Sequence, residues 1–368
     1  MGAHHRHAPA DDLLAACASA EKSGGAAGGM ARVAVKLLVL GGTVFLGRHL
    51  VEAALARGHD VTIFTRGRHN PHLFRDVEKL RGDRDGDLEA LRGRRWEAVV
   101  DTSGHVPNVV RASAELLAPA VDHYTFVSTL AVYAGFPRVP DLDESAPLAE
   151  LPDPSVAKAT PETVGPLKAL CERALEPALS GRAFVVRAGL LVGPHDPTDR
   201  FAYWPRRVAQ GGEVLAPGGP ELRVQIVDAR DLAEWILAGA ESGRTGVYNA
   251  TGPAQPLTMQ ELLETCRAAT GGDATFTWVD ERFLLSVGVN PRMELPLWMP
   301  GAAGAATVDC RRALAAGLAF RPLAETVRDT FAWDMSRPAE LPRRAGIAPE
   351  KEAQVLQAWR ERSLARVL

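Results

Sequence analysis

The chain has 368 residues, 46% of them apolar, with 42 Lys and Arg against 45 Asp and Glu for a formal net charge of −3. That is enough length and apolar content for a full α/β domain plus a smaller second one. The charge excludes the basic footprint of a nucleic-acid or acidic-membrane binder, and no apolar run approaches the ~20 residues of a membrane-spanning helix.

Residues 1–32 are rich in small residues, end in glycines and lack the apolar core of a signal peptide. They are expected to be a disordered tail, or the result of a start codon placed upstream of Met30. His4, His5 and His7 have no acidic or cysteine partner there, so no metal site is expected. The four cysteines, Cys17, Cys171, Cys266 and Cys310, show neither metal nor redox spacing. They read as reduced thiols of a cytoplasmic protein.

Regular structure starts with KLLVLGGTVFLGRHLVEAALARGHDVTIFTRGR, from Lys36 to Arg68. Leu37–Leu40 is a short apolar run suited to a strand buried on both faces. From Leu46 the apolar residues recur at helical spacing, at Leu50, Val51, Ala54 and Leu55, until Gly58 stops them. Val61–Phe64 is a second buried strand. A glycine turn between a parallel strand and a helix brings backbone N–H groups and the helix dipole against a phosphate. The stretch Gly41, Gly42, Thr43, Val44, Phe45, Leu46 and Gly47 is therefore the expected dinucleotide cradle. Its fingerprint is incomplete, since Val44 takes the middle glycine's place.

The end of the second strand selects the cofactor. An acidic residue there would read a ribose 2′-hydroxyl. Arg66 and Arg68 stand there instead, and a guanidinium fork suits a 2′-phosphate. NADP is expected over NAD; the plainer reading of the two arginines is a solvated loop.

A third strand near Val77–Leu80 leads to Asp83, which either faces the adenine or lies in a solvated turn. Leu88–Leu91 suggests a short helix and Trp96–Asp101 a fourth strand. Thr102 and Ser103, small residues after it, would let the backbone approach the dinucleotide. Val109–Leu117 reads as an amphipathic helix, His123–Val127 as the fifth strand, Glu162–Leu179 as a helix and Ala183–Ala188 as the sixth strand. Strands alternating with helices imply an α/β, Rossmann-like doubly wound parallel sheet. Val224–Asp231 opens a further regular stretch with a helix, Gly246–Asn249 is a short strand, and Met259–Ala269 is a helix. The expected organisation is a dinucleotide-binding domain from 33–188 and 224–252. A smaller, discontinuous substrate region spans 189–223 and 253–335, and 336–368 form a C-terminal extension. Open α/β sheets place their ligand at the carboxyl edge, under such a second region.

Several motifs now stand in order: GGTVFLG, then VSTLAVY at Val127–Tyr133, VGPLK at Val164–Lys168, VRAGLLVGPHDPTDRF at Val186–Phe201 and RVQIVDARDLAEWI at Arg223–Ile236. Together, from about Val35 to Trp333, they resemble the extended short-chain dehydrogenase/reductase superfamily in its NAD-dependent epimerase/dehydratase branch. The form without a middle glycine is similar to the atypical subgroup that includes chloroplast stem-loop RNA-binding proteins. Members carry Ser or Thr after the fifth strand and Tyr-x-x-x-Lys on the next helix, with Tyr and Lys on one face. The resemblance implies that the lysine lowers the phenol's pKa and holds the nicotinamide ribose while the tyrosine exchanges a proton with substrate. Thr129, beside Ser128, occupies the hydroxyl position and Lys168 the lysine position. Val164 stands where the tyrosine belongs.

Valine exchanges no proton, so the usual alcohol–ketone mechanism lacks its acid. Lys168 could hold the ribose or act as the acid if burial depresses its pKa; otherwise it is an exposed helix lysine. Tyr133 reads as an aromatic wall more than a replacement acid. Tyr203, His195 and Asp196 lie where the second region opens and could reach a substrate. The expected activity is an NADP-dependent reductase, dehydratase or epimerase acting on a small organic or sugar-like molecule through C=O, C=N or C=C. The alternatives are a non-catalytic NAD(P)-binding regulator or scaffold and, against the acidic charge balance, an RNA binder. The superfamily resemblance also implies a homodimer.

Overall fold

A computed structural model describes residues 34–153, 156 and 158–365. The expected tail, with His4, His5, His7, Cys17 and Met30, falls outside the described residues. The first half alternates strand and helix: β1 (Lys36–Leu40), α1 (Phe45–Ala56), β2 (Asp60–Thr65), β3 (Glu78–Arg81), β4 (Ala98–Asp101), α2 (Pro107–Leu117), β5 (His123–Thr129), α3 (Val164–Leu179) and β6 (Ala183–Ala188). β7 (Leu191–Val192), α4 (Tyr203–Ala209), β8 (Glu213–Pro217), β9 (Arg223–Val224), β10 (Val227–Asp228), α5 (Ala229–Glu241) and β11 (Gly246–Ala250) follow.

Seven strands form one sheet in the order β11-β6-β5-β4-β1-β2-β3, and every pairing is parallel. The strand order reverses between β1 and β4, so their carboxyl ends diverge and leave a crevice. Period-two alternation along β1 explains why all of Leu37–Leu40 is apolar. Leu37 and Val39 pack with Leu50, Val51 and Ala54 of α1 and with Leu232 and Ile236 of α5. Leu38 and Leu40 pack on the opposite face with Val110 and Leu117 of α2 and with Cys171 and Leu175 of α3. Each such fully buried side chain contributes roughly 1.5–3 kcal/mol.

The remainder comprises β12 (Leu257–Thr258), α6 (Met259–Thr270), β13 (Thr275–Val279), α7 (Glu281–Ser286), α8 (Arg311–Ala315), α9 (Leu323–Met335) and α10 (Pro349–Ala365). A separate apolar cluster gathers here: Phe201 and Trp204, Leu215 of β8, Leu262 of α6, Trp298, and Val355 and Leu356 of α10. The ends of α6 follow its sequence. Thr258 and Glu261 form a reciprocal capping box, and Gly271 at φ 71° closes the helix.

Several expected boundaries move. α3 starts at Val164 rather than Glu162, because Thr163 is its N-cap. α2 starts at Pro107, a residue preorganised for the first helical position, rather than at Val109. Val224–Asp231 resolves into two short strands and the start of α5, which Asp228 caps by accepting from Arg230 N. Cys171, Cys266 and Cys310 are buried free thiols.

Candidate functional site

The turn after β1 takes left-handed backbone at Gly41 (φ 118°) and Gly42 (φ 89°). Val44 is extended, at φ −131° and ψ 133°, so a β-branched residue is accommodated where the fingerprint has glycine. The left-handed position falls on Phe45 instead (φ 37°). A Cβ on Gly47 would lie 2.7 Å from Gly42 N, and one on Gly41 would collide with the Thr102 hydroxyl. Neighbouring donors satisfy carbonyls around the turn: Thr102 Oγ1 (3.0 Å) and Ser103 Oγ (3.1 Å) donate to Leu40 O, and Asn70 Nδ2 donates to Thr43 O at 2.8 Å. No side chain caps α1; Gly47 N donates to Val44 O at 3.0 Å, while the N–H groups of Phe45 and Leu46 remain for a ligand.

These groups face a cavity of about 570 Å³ in the crevice between β1 and β4. It is lined by Gly41 through Gly47, Arg66, Arg68, Asp83, Thr102 and Ser103, which are all the expected cofactor residues except Lys168. Arg66 is half exposed, with Nη1 3.9 Å from an Asp83 carboxylate oxygen. An uncapped helix N-terminus, a glycine turn without room for Cβ atoms and two arginines at the far end fit a dinucleotide. That fit is independent of any bound group.

Arg84 and His105 are among the lining residues that were not anticipated. Arg84 is buried and grips Asp101 at the end of β4 in a bidentate pair, Nη1–Oδ1 2.6 Å and Nη2–Oδ2 2.7 Å. Ser113 Oγ lies 2.6 Å from Arg84 Nη2, and Tyr124 donates to Asp101 at 3.1 Å. Burial opposes ionisation of both groups, yet their attraction holds Asp101 below and Arg84 above the ordinary range. The available signal was Asp101 itself, since a carboxylate on a buried strand needs a partner. His105 lines the same cavity. The protein mass around its ring, then the Lys168 ammonium, pull its imidazole down to about 4, so it is neutral at pH 7.

Lys168 is not an exposed helix lysine; it is 5% exposed. Its ammonium donates to Val127 O at 2.5 Å and to Gly104 O at 2.7 Å, over the Phe126 ring. Burial pushes it down to about 8, against the pull of Asp101. It lies beneath backbone that floors the nucleotide cavity and lines neither that cavity nor the cleft described next.

That cleft, of about 970 Å³, places Thr129 and Val164 on its wall together with Gly189 and Thr251. Arg200, Arg223 and Arg292 also line it. The other expected catalytic side chains lie elsewhere. Alternation turns Ser128 to the opposite face of β5 from Thr129, where its hydroxyl bonds Glu172, itself paired with Arg187 at 2.7 Å. Tyr133 is buried; its hydroxyl donates to Asn249 Oδ1 at 2.5 Å and accepts from Arg187 at 2.9 Å. Burial lifts its phenol above the ordinary value. Tyr203 lines a third cavity of about 710 Å³, beside Arg207 and Glu352. His195 packs against His49 and Trp333 and meets Arg48 Nη1 at 3.2 Å, and burial, then Arg48, hold it at about 4. Asp196 is buried and accepts from Thr198 at 2.7 Å. Among the described residues no three His, Cys, Asp or Glu gather to hold a metal, and no helix is long and apolar enough to cross a membrane.

The model of the NAD dependent epimerase/dehydratase family matches residues 37–118, which carry the glycine turn and the crevice strands. The chloroplast stem-loop binding protein of 41 kDa b from Arabidopsis thaliana is 25% identical over 256 residues, 64% of this chain and 63% of its own length. The chain thus spans under two thirds of that relative. The 3-diazoavenalumate denitrifying reductase of a Streptomyces species is 30% identical over 237 residues, 59% of this chain and 76% of its own. The fold is shared with a putative epimerase from Burkholderia cenocepacia, at TM-score 0.62 and 20% identity over 83% of this chain and 100% of that one. It is shared equally with the UDP-glucose 4-epimerase of Thermus thermophilus, solved in complex with NAD, at TM-score 0.60 and 20% identity over 82% of this chain and 99% of that one. With a family model seated on the nucleotide turn and a reductase alike over three quarters of its own length, the chain belongs to the NAD-dependent epimerase/dehydratase family.

Proposed function

We propose that the chain is an NADP-dependent reductase of this family that works without a phenol at position 164. The observation that carries this reading is the pair of cavities. One suits a dinucleotide, with Arg66 and Arg68 at its far end; the other is a large cleft whose wall holds a hydroxyl, Thr129, and no acid at Val164. When bound, the nicotinamide would supply hydride to the substrate. The N–H groups between Gly42 and Leu46 would hold the pyrophosphate and the two arginines the 2′-phosphate, with Asp83 on the adenine side. Thr102 and Ser103 would let the backbone approach the dinucleotide. Lys168 would act from below, fixing the carbonyls of Gly104 and Val127 under the ribose. Thr129 would orient the acceptor atom.

A C=N or conjugated C=C acceptor suits this arrangement better than an isolated ketone. Addition of hydride there leaves a nitrogen or a stabilised carbanion that takes its proton from water, so no buried phenol is required. Segments 189–223 and 253–335 would form the substrate side, and α2 and α3 the face of a homodimer. The NAD of the Thermus neighbour belongs to that protein; the preference for NADP rests on the residues after β2. A second reading, a non-catalytic NADP-binding regulator, is favoured by the engagement of Lys168 with two carbonyls.

Calorimetric titration with NADPH and NADH, followed by a turnover screen over carbonyls, imines and enones, tests both readings. NADPH should bind at least tenfold more tightly, about 1.4 kcal/mol, and the Arg66→Ala/Arg68→Ala double variant should lose that difference. Tighter binding of NADH by the unaltered protein would refute the cofactor assignment. Tight NADPH binding with no turnover across the screen would favour the regulator.

A further inference from the structure

Arginines elsewhere in the second half of the chain mostly carry a carboxylate: Arg206 has Asp334, Arg207 has Glu352, and Arg337 has Asp199. Arg200 and Arg292 do not. Both line the cleft, and neither has a carboxylate oxygen within 4.0 Å among the described residues. Arg200 uses only Nε, which donates to Thr198 Oγ1 at 3.1 Å. The acids nearest in sequence are committed elsewhere. Asp199 pairs with Arg337, and Asp196 accepts from Thr198. Glu281, on the same cleft, accepts from Trp298 Nε1 at 2.7 Å, and Glu221, Arg223 and Arg292 are exposed.

Both guanidiniums are positive and face the same cleft, so an anion placed between them is favoured by both. Burial lowers the pKa of Arg200, Asp196 opposes that, and Arg292 lowers it further. Leu130, Phe136, Leu190, Leu297 and Met299 make much of the wall apolar, alongside Thr129, Gln225, Thr251 and Thr307. An apolar body would find a matched surface on that part of the wall.

We propose that the substrate is an organic acid with an apolar body, whose carboxylate is held by Arg200 and Arg292 at one end of the cleft. This deepens the reading of the cleft as the substrate site. A guanidinium fork fits a carboxylate in bidentate fashion, and the second arginine fixes the orientation of the body toward Thr129.

The test is equilibrium binding to the full chain, with and without NADP, of benzoate, cinnamate, 4-hydroxyphenylacetate and octanoate, each beside its primary amide. UDP-glucose forms a separate arm. At least one acid should bind tenfold or more tightly than its amide. Arg200→Gln should erase that difference without changing NADP affinity. Arg292→Gln, at an exposed position, should do the same. If no acid binds, if acid and amide bind alike, or if UDP-glucose alone binds, the proposal is overturned. Loss of NADP binding with the acid preference intact would refute the reductase reading and leave the carboxylate site standing.

Discussion

Arg84→Met isolates the most deeply placed charge at the nucleotide cavity. Asp101 is fully buried, and the guanidinium supplies two of the bonds to its carboxylate. After the substitution only Tyr124 OH (3.1 Å) and Ser103 N (3.0 Å) still donate to it. Removing one partner of such a pair costs about 3–5 kcal/mol, because the remaining charge stays desolvated. The pH dependence has a definite sign. In the unaltered protein the pKa of Asp101 is depressed, so its contribution is present above the unfolded carboxylate value and is lost as pH falls through the folded one. In the variant burial acts without the arginine and raises that pKa, so the destabilisation is full at pH 7 and shrinks toward pH 4. Urea unfolding at both pH values measures the two effects. Arg84→Met/Asp101→Asn should be more stable at pH 7 than Arg84→Met alone, since no carboxylate charge is left buried without its guanidinium. A single variant within about 1 kcal/mol of the unaltered protein, well below that range, would refute the reasoning, as would a double variant no better than the single.

Gly47→Ala should cost about 1–3 kcal/mol in folding stability through overpacking, because its Cβ would meet Gly42 N at 2.7 Å. It should also weaken dinucleotide binding at least tenfold by calorimetry; unchanged affinity would place the nucleotide elsewhere. Val164→Tyr puts a phenol on the cleft wall beside Thr129, but Lys168 is engaged with Gly104 O and Val127 O. NADPH-dependent ketone reduction should therefore rise by less than tenfold. A gain of about 10²–10⁴, the usual value of a positioned acid, would show that Lys168 leaves its carbonyls and would overturn this account of the site.

The chain order of strands and helices was legible because its signals are local. Leu37–Leu40 is apolar without a break, so it reads as a strand covered on both faces. Gly41 and Gly42 mark the left-handed turn, and Thr258, Glu261 and Gly271 punctuate α6. The same locality let Gly41–Gly47, Arg66, Arg68, Asp83, Thr102 and Ser103 be collected in advance, since parallel strands deliver their carboxyl ends to one edge. It also carried Thr129 and Val164 to one cleft, because a strand end and the first turn of α3 are fixed relative to the same sheet.

Charge partners were not legible. Arg84 finds Asp101 across seventeen residues, and Arg187 finds Glu172 and Tyr133 from different elements. Side-chain reach and the register of neighbouring strands choose such pairs, and neither has a periodic trace in sequence. Lys168 sits at the expected helical spacing, but only the packed structure shows its ammonium turned onto two backbone carbonyls. Tyr203 and His195 looked able to reach a substrate because they lie where the second region opens. The tertiary structure buries Tyr203 against the segment before α10 and packs His195 against α1 and α9. Local pattern determined the sheet and its nucleotide turn; long-range packing, which no single stretch encodes, decided which polar side chains face the cavities and which spend their hydrogen bonds inside the fold.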